Sequence, residues 1–194
     1  MSARAKAIEL DVAGRIEDAA EQYERAIAER GVPIEAFLNL AFIYWQATDY
    51  GFLTTHGLTP AFVERADTRC SEILEEAQDR YPDHLELVFW SRYFDYMTLG
   101  EPPLDDGRFL EAMKRDRVEA SLVYLFPLRP TPECLPAVRR MIADAEREPT
   151  TKNRYIVAVL RGALNRFADD CRSDAPSPAG DAETRASTEI HPTE

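Results

Sequence analysis

The segment GRIEDAAEQYERAIAERGVP, residues 14–33, constrains the fold more strongly than any other part of the chain. Its small and apolar residues recur with the 3.6-residue period of a helix and share one face: Ala19, Ala20, Tyr23, Ala26 and Ile27. Charged residues fill the opposite face, and Gly31 and Pro33 supply the signals that end a helix. The segment therefore predicts an amphipathic helix that must bury one face against a neighbour.

The same periodicity continues through most of the chain, and the two-residue alternation of strands is almost absent. The predicted helices cover about 3–12, 15–30, 33–48, 60–80, 82–99, 107–116, 132–147 and 151–171. Thr59 is the predicted N-cap of the fourth helix, with Pro60 as its first residue. Residues 118–126, VEASLVYLF, fit either a further helix or a buried strand. The predicted fold class is all-α, with about eight or nine helices.

The last predicted helix carries a strong amphipathic signal. Its apolar residues form one stripe: Ile156, Val159, Leu160, Ala163, Leu164 and Phe167. From Arg172 onward the chain is rich in Ala, Pro, Ser and Thr and has almost no large apolar residue, which is typical of a disordered tail. We therefore predict one helical domain over residues 1–171, followed by a disordered tail over 172–194.

The formal net charge of −12 disfavours nucleic acid as a partner, because nucleic-acid-binding proteins usually carry a basic face. It favours a basic partner, although many soluble proteins are simply acidic. Cys70, Cys134 and Cys171 are far apart, which argues against a disulfide framework or a zinc site. Since no apolar run has the length of a signal peptide or membrane span, we expect a cytoplasmic protein without membrane contact. The preference for arginine over lysine is typical of a GC-rich bacterial genome.

Two helices carry residues at the spacing of a known helical repeat. The segment at 14–33 fits the pattern A-x3-F-x2-A with Ala19, Tyr23 and Ala26. The next helix fits W-x2-L-G-x2-Y with Phe37, Leu40, Ala41 and Tyr44. These are the second-helix and first-helix patterns of the tetratricopeptide repeat family, which the chain resembles over about residues 1–100. The resemblance implies a solenoid of antiparallel helix pairs.

The later helices fit the same patterns less regularly. The second-helix pattern returns at Cys70, Leu74, Ala77 and Pro82. The first-helix pattern returns at Trp90, Tyr93, Phe94 and Met97, with Phe94 where the family has a small residue. Tyr44 and Cys70 are farther apart than in a standard repeat, so residues around 46–62 resemble an insertion. Residues 101–171 are predicted to be divergent helices.

The resemblance implies that the concave face, lined by the first helix of each pair, binds a peptide or another protein. The candidate residues on this face are Glu35, Leu38, Phe42 and Trp45, followed by Val88, Ser91, Arg92 and Asp95. On this hypothesis Phe42 and Trp45 are apolar anchors, and the charged residues fix polar groups of the partner. The alternative is that Phe42 and Trp45 pack under the insertion or against the C-terminal helices.

The insertion DYGFLTTHGL, residues 49–58, interrupts the helical pattern and is predicted to be a loop. Long loops between helices often carry function, so Tyr50, Phe52 and His56 are further candidates for partner binding. The alternative is that these aromatic residues cover the end of the solenoid.

Motifs of enzyme chemistry are missing from the sequence. It has no GxxxxGK[ST], GxGxxG or GxSxG motif. His84 and Glu86 are two positions apart and point in different directions on a helix. His56 has no second ligand at metal spacing. The sequence therefore predicts no catalytic residue, no metal and no cofactor.

Three classes of function remain open. The first is a protein-interaction module that binds a protein or peptide on its concave face, as an adaptor, a chaperone or an antidote to a basic toxin. The second is a self-assembling structural protein that pairs through the apolar stripe at 156–167 and exposed aromatic residues. The third is an unrecognised enzyme with a helical pocket near His56, Glu35 and Arg92. We favour the first.

Overall fold

The computed structural model describes residues 1–100 and 135–173, with residues 168–173 described as backbone alone. These ranges form eight helices and contain no strand, which confirms the all-α prediction for this part of the chain. The helices are α1 (Ala3–Val12), α2 (Ile16–Ile27), α3 (Ile34–Ala47), α4 (Tyr50–His56), α5 (Pro60–Arg80), α6 (Leu85–Leu99), α7 (Leu135–Arg147) and α8 (Thr151–Ser173).

Several sequence predictions fall outside these residues. They are the helix at 107–116, the segment at 118–126, the first residues of the helix predicted at 132–147, and the tail from residue 174 onward. Arg172 and Ser173, where the tail was predicted to begin, are the last two residues of α8.

Capping residues explain where helices begin and end. The Thr59 hydroxyl accepts the N–H of Phe62 at 3.3 Å, and Pro60 is the first residue of α5, so both predictions are confirmed. Proline suits this position because it has no backbone N–H, and an N–H in the first turn of a helix would have no partner within the helix. Gly100 ends α6 with φ at 69°, in the left-handed region that glycine adopts most easily.

The prediction of a loop at 49–58 is wrong, because this segment contains the two-turn helix α4. Asp49 Oδ1 accepts the N–H of Phe52 at 2.9 Å and caps the first turn, and Gly57 ends the helix. A helix of seven residues is too short to show a clear period, so its caps are the main sequence signal. The ring of His56 lies 3.8 Å from the position that a Cβ atom on Gly14 would take, so α4 packs beside the α1–α2 link.

Helix α3 is the centre of the domain. Of its 14 residues 11 are buried, which is expected of a helix that is apolar on every side. It packs against α2 and α5, and it also contacts α4, α6 and α8. Most of the described core therefore surrounds this one helix.

Contacts at both ends show that α2 and α5 run in the same direction. Near their N-terminal ends, Glu17 Oε1 accepts the backbone N–H of Thr59 at 2.6 Å. Near their C-terminal ends, Arg80 Nη1 donates to the carbonyl of Ile27 at 2.6 Å. The two helices therefore lie side by side and parallel.

Helix α3 runs antiparallel to α5. Tyr44, near the end of α3, stacks on Phe62, near the start of α5, with ring centroids 5.4 Å apart. Phe37, near the start of α3, meets Tyr81 after the end of α5, at 6.1 Å. Helices α1 and α2 also contact each other directly, across a link of only a few residues.

Candidate protein-docking site

Helix α8 lies across the side of the domain that α1, α3 and α6 form. The residue before α8 and its first two residues are buried: Thr150 is 0%, Thr151 3% and Lys152 8% exposed. A lysine is rarely this buried unless it is paired. Polar side chains of α1 and α6 bind the start of α8. We term three of these side chains, Asp11, Glu86 and Tyr93, the α8 seat.

Asp11 of α1 receives the start of α8. Its Oδ1 accepts the backbone N–H of Thr151 at 2.8 Å and the Thr151 hydroxyl at 2.7 Å. A carboxylate suits this place, because the first N–H groups of a helix lack internal partners and form the positive end of its dipole. The hydroxyl of Tyr23 donates to Oδ2 at 3.4 Å and accepts from Asn39 Nδ2 at 3.1 Å. Burial raises the pKa of the Asp11 carboxyl, and the hydrogen bonds from Thr151 offset part of that effect.

Glu86 of α6 receives Lys152. Its Oε1 accepts hydrogen bonds from Lys152 Nζ and Trp90 Nε1, both at 3.1 Å. Burial alone would raise the pKa of this carboxyl, but the charge of Lys152 and the two hydrogen bonds hold it below the ordinary value. The pair therefore stays ionised in a largely buried position.

Two further residues in the first turns of α8 contact its neighbours. Arg154 Nη2 donates to the carbonyls of Asp11 at 3.1 Å and Val12 at 2.6 Å, at the C-terminal end of α1. A cation is favourable there because helix carbonyls at that end lack partners. The hydroxyls of Tyr155 and Tyr93 form a hydrogen bond of 2.7 Å.

Phe42 is the centre of an aromatic cluster beneath α8. It is fully buried, and its ring centroid lies 4.6 Å from Trp90, 4.9 Å from Phe94 and 5.7 Å from Tyr155. Leu38, one turn earlier, is also fully buried. Both predicted partner-binding residues are thus core residues here, and Phe42 packs against the C-terminal helix α8, which is the alternative drawn from the sequence.

Trp45 is half-buried and lines a groove between α3, α6 and α8, with a volume of about 450 Å³. The lining residues are Trp45, Gln46, Thr48, Asp49, Met97, Thr98 and Tyr155. We term this the Trp45 groove. Trp45 Nε1 donates to Thr98 Oγ1 at 3.2 Å, and its ring stacks on Phe94 at 4.6 Å, so the indole is held in place. The volume lies within the range of ligand-binding clefts, and the lining combines aromatic and polar groups.

Large apolar side chains are exposed at and near this end of the domain. Met97, which lines the groove, is 50% exposed, and Leu99 and Tyr50 are 68% and 78% exposed. Of these three residues only Met97 lines the groove, and single exposed apolar side chains such as Leu99 are normal on protein surfaces.

The predicted charged residues do not join the Trp45 groove. Glu35 is exposed in the first turn of α3, at the opposite end from Trp45. Arg92 and Asp95 are exposed on α6 and do not line the groove. Burial is the main cause that raises the pKa of the Cys70 thiol of α5 to about 12, and the nearby charge of Asp95 contributes to this shift.

The aromatic residues of α4 divide between two roles. Phe52 and His56 are half-buried and pack on each other with ring centroids 4.4 Å apart, beside the α1–α2 link. They cover part of the domain, which is the alternative drawn from the sequence. Tyr50 remains exposed and adjoins Asp49 of the groove.

Sequence reasoning missed the residues that hold α8. The one available signal for this contact was Asp11 itself, an acidic residue that follows Leu10 on the side of α1 that is buried. Thr150 and Thr151 are residue types that favour helix starts, but nothing local indicates that the capping carboxylate comes from α1. Tyr155 stands one position before the predicted stripe at 156–167 and was therefore overlooked.

Within residues 1–100 and 135–167, no three His, Cys, Asp or Glu side chains are placed to hold a metal ion. Over the described part of the chain, no helix has the length and apolar character needed to cross a membrane. No protein-family model, curated protein or solved structure matches this chain. The candidate site therefore rests on the geometry of its own residues.

Proposed function

We propose that this protein is an interaction module that binds a segment of another protein in the Trp45 groove. The observation that carries the proposal is the groove itself, in which a fixed indole, half-exposed Met97 and polar groups line one concavity. Binding sites in proteins commonly combine an aromatic anchor with a few polar groups that orient the ligand.

The proposed architecture is a tetratricopeptide-like stack of helix pairs. Support comes from the parallel course of α2 and α5 and the antiparallel course of α3 and α5, as in two stacked pairs. The residues that match the repeat pattern in α2 are also fully buried: Ala19, Tyr23 and Ala26. Small residues at such positions let neighbouring helices approach closely.

The proposed partner is a cytoplasmic protein or peptide with an apolar side chain for the groove and basic residues beside it. Among the residues that the structure describes, Asp49 is the one charged residue that lines the groove, and the whole chain carries a formal charge of −12. Opposite charge on a partner would speed association and make binding weaken as salt rises.

Paired variants of α6 test this proposal. Met97→Glu places a charge in the groove, whereas Leu99→Glu places one on an exposed residue of the same helix that does not line the groove. Tagged wild-type protein and both variants would be used in pull-downs from the native organism at low and high salt.

The proposal expects a protein that is captured by the wild type and Leu99→Glu, lost with Met97→Glu and weakened by salt. Equal capture by all three proteins would contradict the groove as the docking surface. Recovery of the chain only with itself would instead favour self-assembly.

A further inference from the structure

We propose that the α8 seat is a recognition surface for the start of a helix, and that α8 is its built-in ligand. A partner helix with the same groups in its first two turns binds there in place of α8. This inference goes beyond the proposed function, which concerns the Trp45 groove and leaves α8 in position.

The groups of the seat are matched one by one to those of α8. Asp11 takes the N–H and hydroxyl of Thr151, and Glu86 takes the ammonium of Lys152. Tyr93 then takes the hydroxyl of Tyr155, one helical turn after Thr151. The seat therefore fits the sequence Thr-Lys-x-x-Tyr at the N-terminus of a helix, with Ser as the natural substitute for Thr.

Apolar contacts define the rest of the ligand. Beyond the first turn, α8 buries Ile156 and Leu160, which are 4% and 0% exposed, in the main core. A partner helix therefore needs a large apolar residue directly after the Tyr and another one turn later. The ligand class is an amphipathic helix with a polar, basic first turn.

Buried polar pairs specify a ligand more than they stabilise a complex. An ion pair such as Glu86–Lys152 gains little over apolar packing, because both charges lose water on burial. A helix without matching groups, however, would leave Asp11 without a hydroxyl donor in place of Thr151 and the largely buried Glu86 carboxylate without an opposite charge. The seat thus rejects most amphipathic helices, whereas a simple apolar interface would accept many.

The covalent connection favours α8 over any free helix, because it gives α8 a high effective concentration at the seat. A competing helix should therefore bind weakly to the wild type. Weakening the contacts of α8 while leaving the seat unchanged should open the site.

The test uses the full chain with Thr151→Val and Lys152→Met, which leaves the seat residues unchanged and removes the Thr151 hydroxyl and the Lys152 ammonium that they bind. The probe is a fluorescent peptide of residues 149–167, PTTKNRYIVAVLRGALNRF. It should bind the double variant at least about tenfold more tightly than the wild type and raise the melting temperature of the variant.

Two controls separate recognition from general stickiness. The same peptide with both substitutions should gain no affinity for the double variant. Arg166→Ala, on the exposed side of α8, should behave like the wild type. Equal binding of both peptides, or no binding of either to a folded double variant, would overturn the proposal.

If the double variant does not fold, hydrogen exchange of the wild type in dilute urea decides instead. Backbone amides of residues 151–160 should exchange at least about tenfold faster than those of α3, because α8 leaves its seat before the domain unfolds. Equal protection of the two helices would show that α8 does not exchange separately and would overturn the proposal.

Discussion

The carboxylate of Asp11 in α1 caps α8 from outside that helix, accepting both the N–H and the hydroxyl of Thr151 at 2.8 and 2.7 Å. Asp11→Ala removes this acceptor from both Thr151 donors and also from the buried Tyr23 hydroxyl. We expect a loss of about 2–4 kcal/mol in the free energy of unfolding, measured by urea denaturation. Asp18→Ala, an exposed acid of α2, is the control and should cost less than about 1 kcal/mol. Similar losses for both would contradict the capping role.

Glu86→Gln tests the buried ion pair with Lys152. At neutral pH it leaves a buried ammonium without an opposite charge, so we expect a loss of about 2–4 kcal/mol. The pKa of Glu86 lies below its ordinary value of 4.5, so its contribution to stability is present above that pH and is lost as pH falls through the lowered pKa.

The cost of Glu86→Gln should therefore shrink in acid. Urea unfolding at about pH 7 and about pH 3 measures it, with exposed Glu75→Gln as the control. A cost that is the same at both pH values would mean that charge is not the cause.

Phe42→Ala tests whether the residue is core. It would leave a cavity between Trp90 and Phe94, and we expect a loss of about 3–5 kcal/mol in urea unfolding. Phe52→Ala, at a half-buried position in α4, should cost clearly less. If Phe42→Ala folded with nearly unchanged stability, Phe42 would not be a core residue. The hypothesis that Phe42 is an apolar anchor for a partner would then be favoured.

Arg69→Met tests the link between α2 and α5. Arg69 donates to both oxygens of Glu24, Nε to Oε1 at 2.8 Å and Nη2 to Oε2 at 2.7 Å. We expect a loss of about 1–2 kcal/mol, because a bidentate and partly buried pair is stronger than a surface pair. Arg25→Met, whose pair with Glu21 is exposed, should cost less than about 0.5 kcal/mol. An equal cost for the two would remove any special role for Arg69.

Local sequence was sufficient for the longer helices, and insufficient for the short helix α4 and for how the helices meet. The period of residues 19–27 and the cap at Thr59 are local properties, and both predicted structure correctly. The contact between Asp11 and Thr151 joins residues 140 positions apart, and no local pattern encodes such a pairing.

The same limit explains the outcome at Phe42 and Trp45. A helix that is apolar on all sides has no face that sequence can identify as exposed, so α3 gave no basis for choosing between groove and core. The packing of α8 decides between groove and core, because α8 covers Phe42 and leaves part of Trp45 exposed.

Site-specific photo-crosslinking in the native organism tests the central claim most directly. A photoreactive amino acid would replace Met97 in the Trp45 groove or, as the control, Glu75 on the exposed side of α5. We predict that position 97 yields one dominant crosslinked protein, which position 75 does not yield. No crosslinked protein at position 97, or the same proteins at both positions, would contradict a docking site in this groove.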